Sequence, residues 1–392
     1  MAPHAILSPS SAHRWLACPP SAMLEQQFPD RRSESADEGT FAHSWAENEL
    51  RGFIENIGED EYAKRQKRLK TNTYYSPGLE DYVSDYVESV IRHYLDASQR
   101  DKDAALLLEQ PLDCSRWVPD GFGHGDAVVI ADGEMTILDL KYGQNVKVTA
   151  RENPQLRLYA LGAYQTFSCV YEIDRVTVVI VQPRNGGETS ETLSVEELLS
   201  WGERLHRIAD LAIQGKGDFK AGAHCRFCRA RNRCKALADY NMELSSKYKN
   251  ADAELLTDEA VAEILGRADE IVNWVNSIKA FALQEAVDNG KRWPGYKLVE
   301  GRSTRRLSDE KKAVALLTKA GFTEDQIYKP REVQGFTALE KVIGKRKLDA
   351  LLKEVIIKPP GAPKLAPESD KRPEWNSAKD DFDEVTDEEV PI

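Results

Sequence analysis

The dipeptide Asp132-Gly133 constrains the fold of this chain more than any other feature of its sequence. It separates two apolar, β-branched runs in FGHGDAVVIADGEMTILDLKYG, residues 122–143. An Asp-Gly pair between such runs is a strong signal for a two-residue β-hairpin turn. Counting outward from the turn sets the strand register, and this register predicts that Asp126 lies opposite Asp139.

The charges at the open end of this hairpin call for a physical explanation. Opposed side chains on one face of a sheet lie roughly 5 Å apart at Cβ, and two carboxylates in that position repel each other. Lys141 is two residues beyond Asp139 and therefore shares its face. A hard divalent cation between them, Mg²⁺ or Mn²⁺, would neutralise the repulsion between the two carboxylates. The alternative is a solvated sheet edge with an ordinary salt bridge.

The neighbouring sequence predicts a mixed α/β fold. Apolar residues at three- and four-residue steps predict helices over 39–55 and 79–96. Residues 105–112 predict a strand, and the strongly β-branched run over 175–182 predicts another. Pro154 predicts the first turn of a further helix. This order of elements indicates an α/β fold with a mixed central β-sheet flanked by helices.

The chain divides by composition into four regions. A globular region over 1–245 is followed by a helical connector over 246–290, which contains a predicted amphipathic helix over 257–288. Residues 291–358 are basic and aromatic and predict a helical or small α+β extension, with a short strand at 295–301 and helices at 309–320 and 337–354. Residues 359–392 are rich in proline and acidic residues, which predicts a disordered acidic tail.

Composition excludes some classes of protein. The chain has 392 residues, 41% of them apolar, and no apolar run of 18 residues, so a sizeable core is expected and a membrane span is not. No secretory signal pattern opens the chain, which favours the cytoplasm. The net charge is −12, but the last fourteen residues hold seven acids and one lysine, a net of −6. A local basic face is therefore compatible with the remaining sequence.

The six cysteines favour metal or redox chemistry over disulfides in a chain of this kind. Cys225, Cys228 and Cys234 have the spacing C-x2-C-x5-C in HCRFCRARNRC. Three thiolates leave a tetrahedral site one ligand short, and Cys18 is a candidate for the fourth. Zinc held by the three cysteines with Cys18 or His224, an iron–sulfur cluster and plain reduced thiols all remain open on this pattern.

Four arginines stand within and beside the cysteine motif: Arg226, Arg229, Arg231 and Arg233. Some can neutralise anionic thiolates, and others can contact nucleic-acid phosphates. A solvated charged loop is the alternative for all four.

The hairpin motif GHGDAVVI…ILDLKYG resembles the Asp…(Asp/Glu)-x-Lys core of the PD-(D/E)xK nucleases, and most of all their RecB-like branch. EGTFAH, ending at His43, is similar to the helical motif of that branch that carries a metal-binding histidine. Gln155 and Tyr159 match its Q-x-x-x-Y helix. The chain departs from the pattern at Leu140, where the branch usually has tyrosine, and at Tyr142, where threonine is common.

This resemblance implies a restriction-endonuclease-like nuclease core within residues 1–245. The metal ligands it implies are His43, Asp126, Asp139 and the backbone carbonyl of Leu140, which would hold Mg²⁺ or Mn²⁺. The catalytic residues it implies are Asp126, Asp139, Lys141, Gln155 and Tyr159. Glu109, on the preceding strand, is a further acidic candidate.

One cysteine near the start and three after the nuclease core resemble the arrangement of the iron–sulfur nucleases, the AddB-type helicase–nuclease subunits and the CRISPR-adaptation nucleases. The resemblance implies a [4Fe–4S] cluster held by Cys18, Cys225, Cys228 and Cys234, with zinc as the alternative.

The function that these features predict is a metal-dependent DNA nuclease, an exonuclease in phage recombination, replication or repair. A non-catalytic DNA-binding or partner-assembly module on the same scaffold is the alternative, and a restriction-type endonuclease is a third class. The predicted partners are DNA and a helicase or a single-strand-binding or annealing protein, since the final DEEVPI resembles the tips of bacterial single-strand-binding proteins. The resemblance suggests a phage or prophage gene expressed in the cytoplasm of a bacterial host.

Overall fold

The structure is a computed structural model that describes residues 5–30, 34–55, 58–249, 255–301, 307–329, 332–357, 365–368, 370 and 372. Most of the tail predicted to be disordered, 359–392, lies outside the described residues.

A five-stranded mixed sheet forms the centre of the fold, in the order β1-β2-β3-β4-β5. The strands are β1 (Ala105–Asp113), β2 (Phe122–Ala131), β3 (Gly133–Leu140), β4 (Ile173–Gln182) and β5 (Gly187–Ser194). Only β3 and β4 run parallel, whereas the other neighbouring pairs are antiparallel. With the helices on both faces, this sheet confirms the predicted α/β class.

The hairpin has the predicted register. Its ladder runs from Ala131↔Glu134 at the turn to Ala127↔Leu138. Gly133 has a φ of 83°, a left-handed conformation that explains the glycine in the turn. Asp126 and Asp139 are the next residues along this register, at the mouth of the hairpin.

The described helices are α1 (Ala12–Ala17), α2 (Ser21–Glu25), α3 (Glu34–Ile54), α4 (Glu59–Lys70), α5 (Pro77–Arg100), α6 (Pro154–Phe167), α7 (Val195–Ile213), α8 (Lys235–Lys249), α9 (Asp258–Asn289), α10 (Glu310–Lys319), α11 (Glu324–Ile327), α12 (Phe336–Ile343) and α13 (Lys345–Leu352). None of these helices is long and apolar enough to cross a membrane.

Helices cover the sheet on both faces because the central strands β2, β3 and β4 carry apolar residues on both of their faces. Val129 and Leu138 belong to the core beneath α3 and α5. Val128 and Ile137 belong to the opposite core, beneath α6 and α7. A strand buried on both faces has a nearly continuous apolar sequence, as β2 and β3 do. The mouth of the hairpin therefore lies between two helical layers, which can supply side chains from either side.

The structure differs from the sequence predictions at several elements. Strand β5 and helix α4 were not predicted, since their sequences are largely polar or charged. The strand predicted at 295–301 is wrong, because residues 291–300 contain only a turn and irregular backbone. The helix predicted over 337–354 divides into α12 and α13 at Gly344, which has a φ of 89°.

Candidate metal centre and cysteine cavity

Three side chains from three elements meet at the mouth of the hairpin. His43 comes from α3, Glu109 from β1 and Asp126 from β2. Their ligand atoms all lie within 4.8 Å of one another. Sequence reasoning named His43 and Asp126 as metal ligands and Glu109 only as a further acidic candidate. In the structure Glu109 is as close to the other two residues as they are required to be for a shared metal ion, within the same 4.8 Å.

His43 and Asp126 form a direct ion pair, with 3.2 Å between Nδ1 and Oδ2. The backbone N–H of Leu140 donates to the same Oδ2 of Asp126 at 2.8 Å. Burial lowers the pKa of His43, but the charge and hydrogen bond of Asp126 outweigh burial and raise that pKa to about 9. Burial pushes the pKa of Asp126 upward, and the charge and hydrogen bond of His43 hold it below its usual value. The pair is thus ionised at neutral pH when no metal is bound.

Glu109 occupies a backbone conformation that is rare for a residue with a side chain. Its φ is 48°, in the middle of β1. The ladder pairs Leu108 with Ala127 and Gln110 with Gly125, and it omits the Glu109–Asp126 position between them. Burial, and next the negative charge of Asp126, raise the pKa of Glu109 to about 7. Backbone strain of this kind costs about 1–3 kcal/mol and is concentrated at functional sites.

Asp139 lies beside this group but outside the set of three. Its Oδ2 is 2.6 Å from Nζ of Lys141, and its Oδ1 accepts a hydrogen bond from Nε2 of Gln155 at 3.3 Å. Burial raises the pKa of Asp139, the charge of Asp126 adds to the rise, and Lys141 opposes it. The predicted Asp-x-Lys pair is therefore a buried carboxylate held by an ammonium and an amide.

The start of α6 places Gln155 and Tyr159 next to Asp139. The side chain of Asn153 caps this helix by accepting from the backbone N–H groups of Gln155 at 3.1 Å and Leu156 at 3.3 Å. Nε2 of Gln155 also donates to the Tyr159 hydroxyl at 3.1 Å. Both residues named from the Q-x-x-x-Y pattern thus contact each other, and Gln155 contacts the carboxylate.

Tyr86 of α5 is a site residue that sequence reasoning missed. Its hydroxyl is buried and has no hydrogen-bond partner among the described residues. Burial raises the pKa of Tyr86 well above its usual value, and the charges of Asp126, Asp139 and Glu109 raise it further. Its helical spacing with Leu79, Val83 and Val90 is typical of core packing, so the sequence holds no separate signal for its position.

The donor set fits a hard divalent cation. Carboxylate oxygens are the ligands that Mg²⁺ and Mn²⁺ prefer, and an imidazole suits Mn²⁺. The carboxylates of Glu109, Asp126 and Asp139 repel one another, and the positive charges of His43, Lys141 and Arg51 offset part of this repulsion. The buried hydroxyl of Tyr86 adds a polar atom that has no hydrogen-bond partner in the described part of the chain. The carbonyl of Leu140 as a ligand stays a prediction.

The four cysteines of the predicted cluster line one small cavity of about 20 Å³. Cys18 follows α1, and Cys225, Cys228 and Cys234 follow α7, so the cavity joins parts of the chain that are distant in sequence. Burial raises the pKa of Cys228 to about 12 and also raises the pKa of Cys225. Without a metal these two thiols are therefore neutral.

The spacing of the sulfurs bears on the choice of metal. Tetrahedral zinc with Zn–S bonds of about 2.3 Å holds its thiolates about 3.8 Å apart. Among the described residues, no three cysteine or histidine ligands of this cavity have ligand atoms within 4.8 Å of one another. His224 instead places Nε2 2.8 Å from the carbonyl of Lys220. Which group these four cysteines bind, an iron–sulfur cluster or zinc, stays a prediction.

The four arginines of the cysteine motif have different surroundings. Arg226 is exposed and lies 5.7 Å from the ring centre of Phe227. Arg229 donates its backbone N–H to Glu25 at 2.7 Å, and Arg231 donates its side chain to the carbonyl of Arg226. Arg231 and Arg233 also line a larger groove between the cysteine segment and α9. The nucleic-acid contacts predicted for all four stay a prediction.

Comparison with known proteins gives a family for the chain. The solved structure titled "Crystal structure of SSO0001" is similar over 49% of this chain and 95% of that chain, with 15% sequence identity and a TM-score of 0.24. A family model described as "Protein of unknown function (DUF2800)" matches residues 4–373, nearly the whole chain. The protein therefore belongs to the DUF2800 family.

Proposed function

We propose that the protein is a divalent-metal-dependent DNA nuclease of the PD-(D/E)xK type, related to the RecB-like branch, and that it acts as an exonuclease. One observation carries the proposal: His43, Glu109 and Asp126 offer ligand atoms within 4.8 Å of one another, beside the Asp139–Lys141 pair. The same residue types in the same order are those of the resemblance drawn from the sequence.

In this proposal His43, Glu109, Asp126 and Asp139 hold Mg²⁺ or Mn²⁺. When bound, such an ion polarises a phosphoryl oxygen and lowers the pKa of a bound water. To bind the ion, His43 would have to lose the proton that Asp126 stabilises. The imidazole nitrogen would then hold the metal ion in place of that proton. The bound cation would also reduce the charge repulsion among Glu109, Asp126 and Asp139.

Lys141 has a separate role from the ligands. Its ammonium lies against Asp139, so it is fixed at the edge of the metal centre. From there it can orient a water toward the scissile phosphate and offset the negative charge that develops on the phosphoryl oxygens. Gln155 holds the Asp139 carboxylate and Tyr159 in turn accepts from Gln155, so both act as positioning residues.

For the cysteine cavity we propose a [4Fe–4S] cluster bound by Cys18, Cys225, Cys228 and Cys234. A cluster offers one iron to each of four thiolates, so it accommodates sulfurs more widely spaced than zinc does. Such a group would be structural here, since it would join the N-terminal segment to the segment after α7. A brown protein with broad absorbance in the visible region after anaerobic purification is the expected result, and colourless protein with bound zinc contradicts it.

The nuclease proposal is tested by incubating anaerobically purified protein with end-labelled linear DNA and with closed circular DNA, with and without Mg²⁺ or Mn²⁺. The expected result is metal-dependent release of the end label, with the circle uncut. Asp139→Asn and Lys141→Ala should each lower the rate at least about a hundredfold, since several kcal/mol of transition-state stabilisation is lost. Asp174→Asn, an exposed acid on β4, is the matched control and should cleave like the wild type.

Other outcomes of this assay select the alternatives. Cutting of the circle would assign the protein to the restriction-type endonucleases. Binding of DNA without cleavage in any divalent metal would assign it to the non-catalytic DNA-binding or partner-assembly modules. A helicase or single-strand-binding partner and a phage or prophage origin remain suggestions of the resemblance.

A further inference from the structure

A groove of about 1200 Å³ lies apart from the carboxylate site. One wall is the segment 231–238, which includes the last cysteine of the motif and the start of α8. The other wall is the C-terminal half of α9 with the segment 290–298 that follows it. None of its lining residues belongs to the candidate metal centre.

The two walls are joined by specific contacts. The Ser277 hydroxyl of α9 donates to Oδ1 of Asn232 at 2.7 Å. Arg231 and Cys234 line both the groove and the cysteine cavity. The groove is therefore built onto the cysteine segment and shares a wall with its cavity.

The lining is strongly cationic. Arg231, Arg233 and Lys235 lie on the first wall, and the second wall carries four more cations. These four are Lys279, Lys291, Arg292 and Lys297. No acidic residue lines the groove, although the chain as a whole has a net charge of −12. Lys235 pairs with Asp239, and among the described residues the other six form no salt bridge. The groove thus offers a concentrated positive field to an anion.

Aromatic rings stand among these cations. Trp274, Phe281, Trp293 and Tyr296 all line the groove. The indole N–H of Trp293 donates to the carbonyl of Ala282 at 2.9 Å, and its ring meets Phe281 edge-on with 6.2 Å between centroids. Tyr296 is 82% exposed, so it contributes little to packing. The rings are thus partly held in place before any ligand arrives.

We propose that this groove binds single-stranded nucleic acid. A chain of phosphates satisfies the cations, and unstacked bases can lie against the aromatic rings. Duplex DNA hides its base faces and would use only the cations, and an acidic peptide has no bases to stack. If the protein is the proposed nuclease, single strands are its substrate class, and this part of the inference rests on the nuclease proposal. The binding of single strands by the groove does not depend on it.

The test measures binding by the full-length protein, purified anaerobically, to a fluorescein-labelled oligo(dT) of about 20 nucleotides, a length that spans one or more single-strand sites. Fluorescence anisotropy is recorded over a series of NaCl concentrations without divalent metal. Because nothing is cleaved under these conditions, a failure of the nuclease proposal leaves the binding result intact. A duplex of the same length and a peptide with the sequence of residues 379–392 are the competing probes.

The informative variant is Arg292→Ala/Tyr296→Ala/Lys297→Ala, which changes only exposed side chains. It should bind oligo(dT) at least tenfold more weakly. The slope of log affinity against log salt should fall by about 1.4, since each phosphate contact to a single strand contributes about 0.7. Tyr296→Ala alone should weaken binding about fivefold or more with the slope unchanged, as expected for a lost stacking partner.

The control is Lys319→Ala/Tyr328→Ala/Lys329→Ala, which likewise removes two cations and one tyrosine from exposed positions outside the groove. It should bind like the wild type. The proposal is overturned if the two triple variants bind oligo(dT) equally well. It is also overturned if the duplex or the acidic peptide binds as tightly as oligo(dT) with the same dependence on Tyr296.

Discussion

At the scale of single residues, Glu109 combines backbone strain with a carboxyl group beside another carboxylate. Its φ is 48°, and burial and Asp126 raise its pKa from 4.5 to about 7. A raised acid pKa means that the charged form is disfavoured in the folded state. Wild-type stability therefore falls as the pH rises from about 4.5, and the full penalty is present above about 7.

Glu109→Gln should accordingly stabilise the metal-free protein at pH 8 by about 1–2 kcal/mol, a figure discounted for the partial exposure of the side chain. The same variant should gain less stability than the wild type when Mn²⁺ is added, because a ligand is missing. Thermal unfolding with and without Mn²⁺ measures both effects, and Glu172→Gln, an exposed acid, is the control. A variant that is less stable without metal would show that Glu109 serves the fold and not the site.

At the scale of elements, edge strand β5 is attached to α5 through a single carboxylate. Glu188 accepts from the Ser89 hydroxyl at 2.7 Å and from Arg92 at 2.5 Å, and its Oε1 is 3.3 Å from Nε2 of His93. Burial pushes the pKa of Glu188 upward, but the hydrogen bonds from these three residues hold it below its usual value of 4.5.

Glu188→Gln should therefore lower the free energy of unfolding by about 1 kcal/mol at pH 7. A depressed acid pKa contributes stability that is present above about pH 4.5 and is lost as the pH falls through the folded-state pKa. The difference between variant and wild type should thus narrow in acid. Urea unfolding at pH 7 and below pH 4 checks this, and a difference that is the same at both pH values would contradict it.

Strand β5 also shows which elements the sequence predicts and which it does not. The hairpin register followed from Asp132-Gly133 and the apolar runs, because a slip by one residue would expose a whole face. β5 is polar, since it lies at the sheet edge, and so it lacks the β-branched signal of a buried strand. The strand predicted at 295–301 has the right residues but no partner strand, and a strand without a partner leaves its backbone unpaired.

The site was predictable only in part for a related reason. The hairpin placed Asp126 and Asp139 together by local geometry. His43 and Gln155 were named through resemblance, since no local rule brings α3 and α6 to the same point. The left-handed conformation of Glu109 and the buried hydroxyl of Tyr86 depend on tertiary packing, which a single sequence does not display.

At the scale of the whole molecule, the cysteine cavity joins the N-terminal segment to the segment after α7. Cys18 is more than two hundred residues from Cys225 along the chain, and both line the cavity. If the proposed cluster links them, closing so long a loop would stabilise the folded state by about several kcal/mol in the chain-entropy account. Glu25 of α2 supports the same junction, since it accepts from Arg14 and from the backbone of Arg229.

Cys18→Ser should therefore abolish the visible absorbance expected of the cluster and lower the unfolding midpoint by several degrees. Cys169→Ser, at an exposed cysteine outside the cavity, should change neither property. Absorbance spectra and thermal unfolding under anaerobic conditions measure both. An unchanged spectrum in Cys18→Ser would remove this residue from the ligand set.

The central claim is that the mouth of the hairpin binds a divalent cation. Titration with Mn²⁺, followed by electron paramagnetic resonance of the free ion, tests it most directly. The wild type and the Asp174→Asn control should both take up Mn²⁺, whereas Asp126→Asn should bind at least about tenfold more weakly, because it loses a charged ligand and the partner of His43. Equal uptake by all three proteins would contradict the assignment of this site.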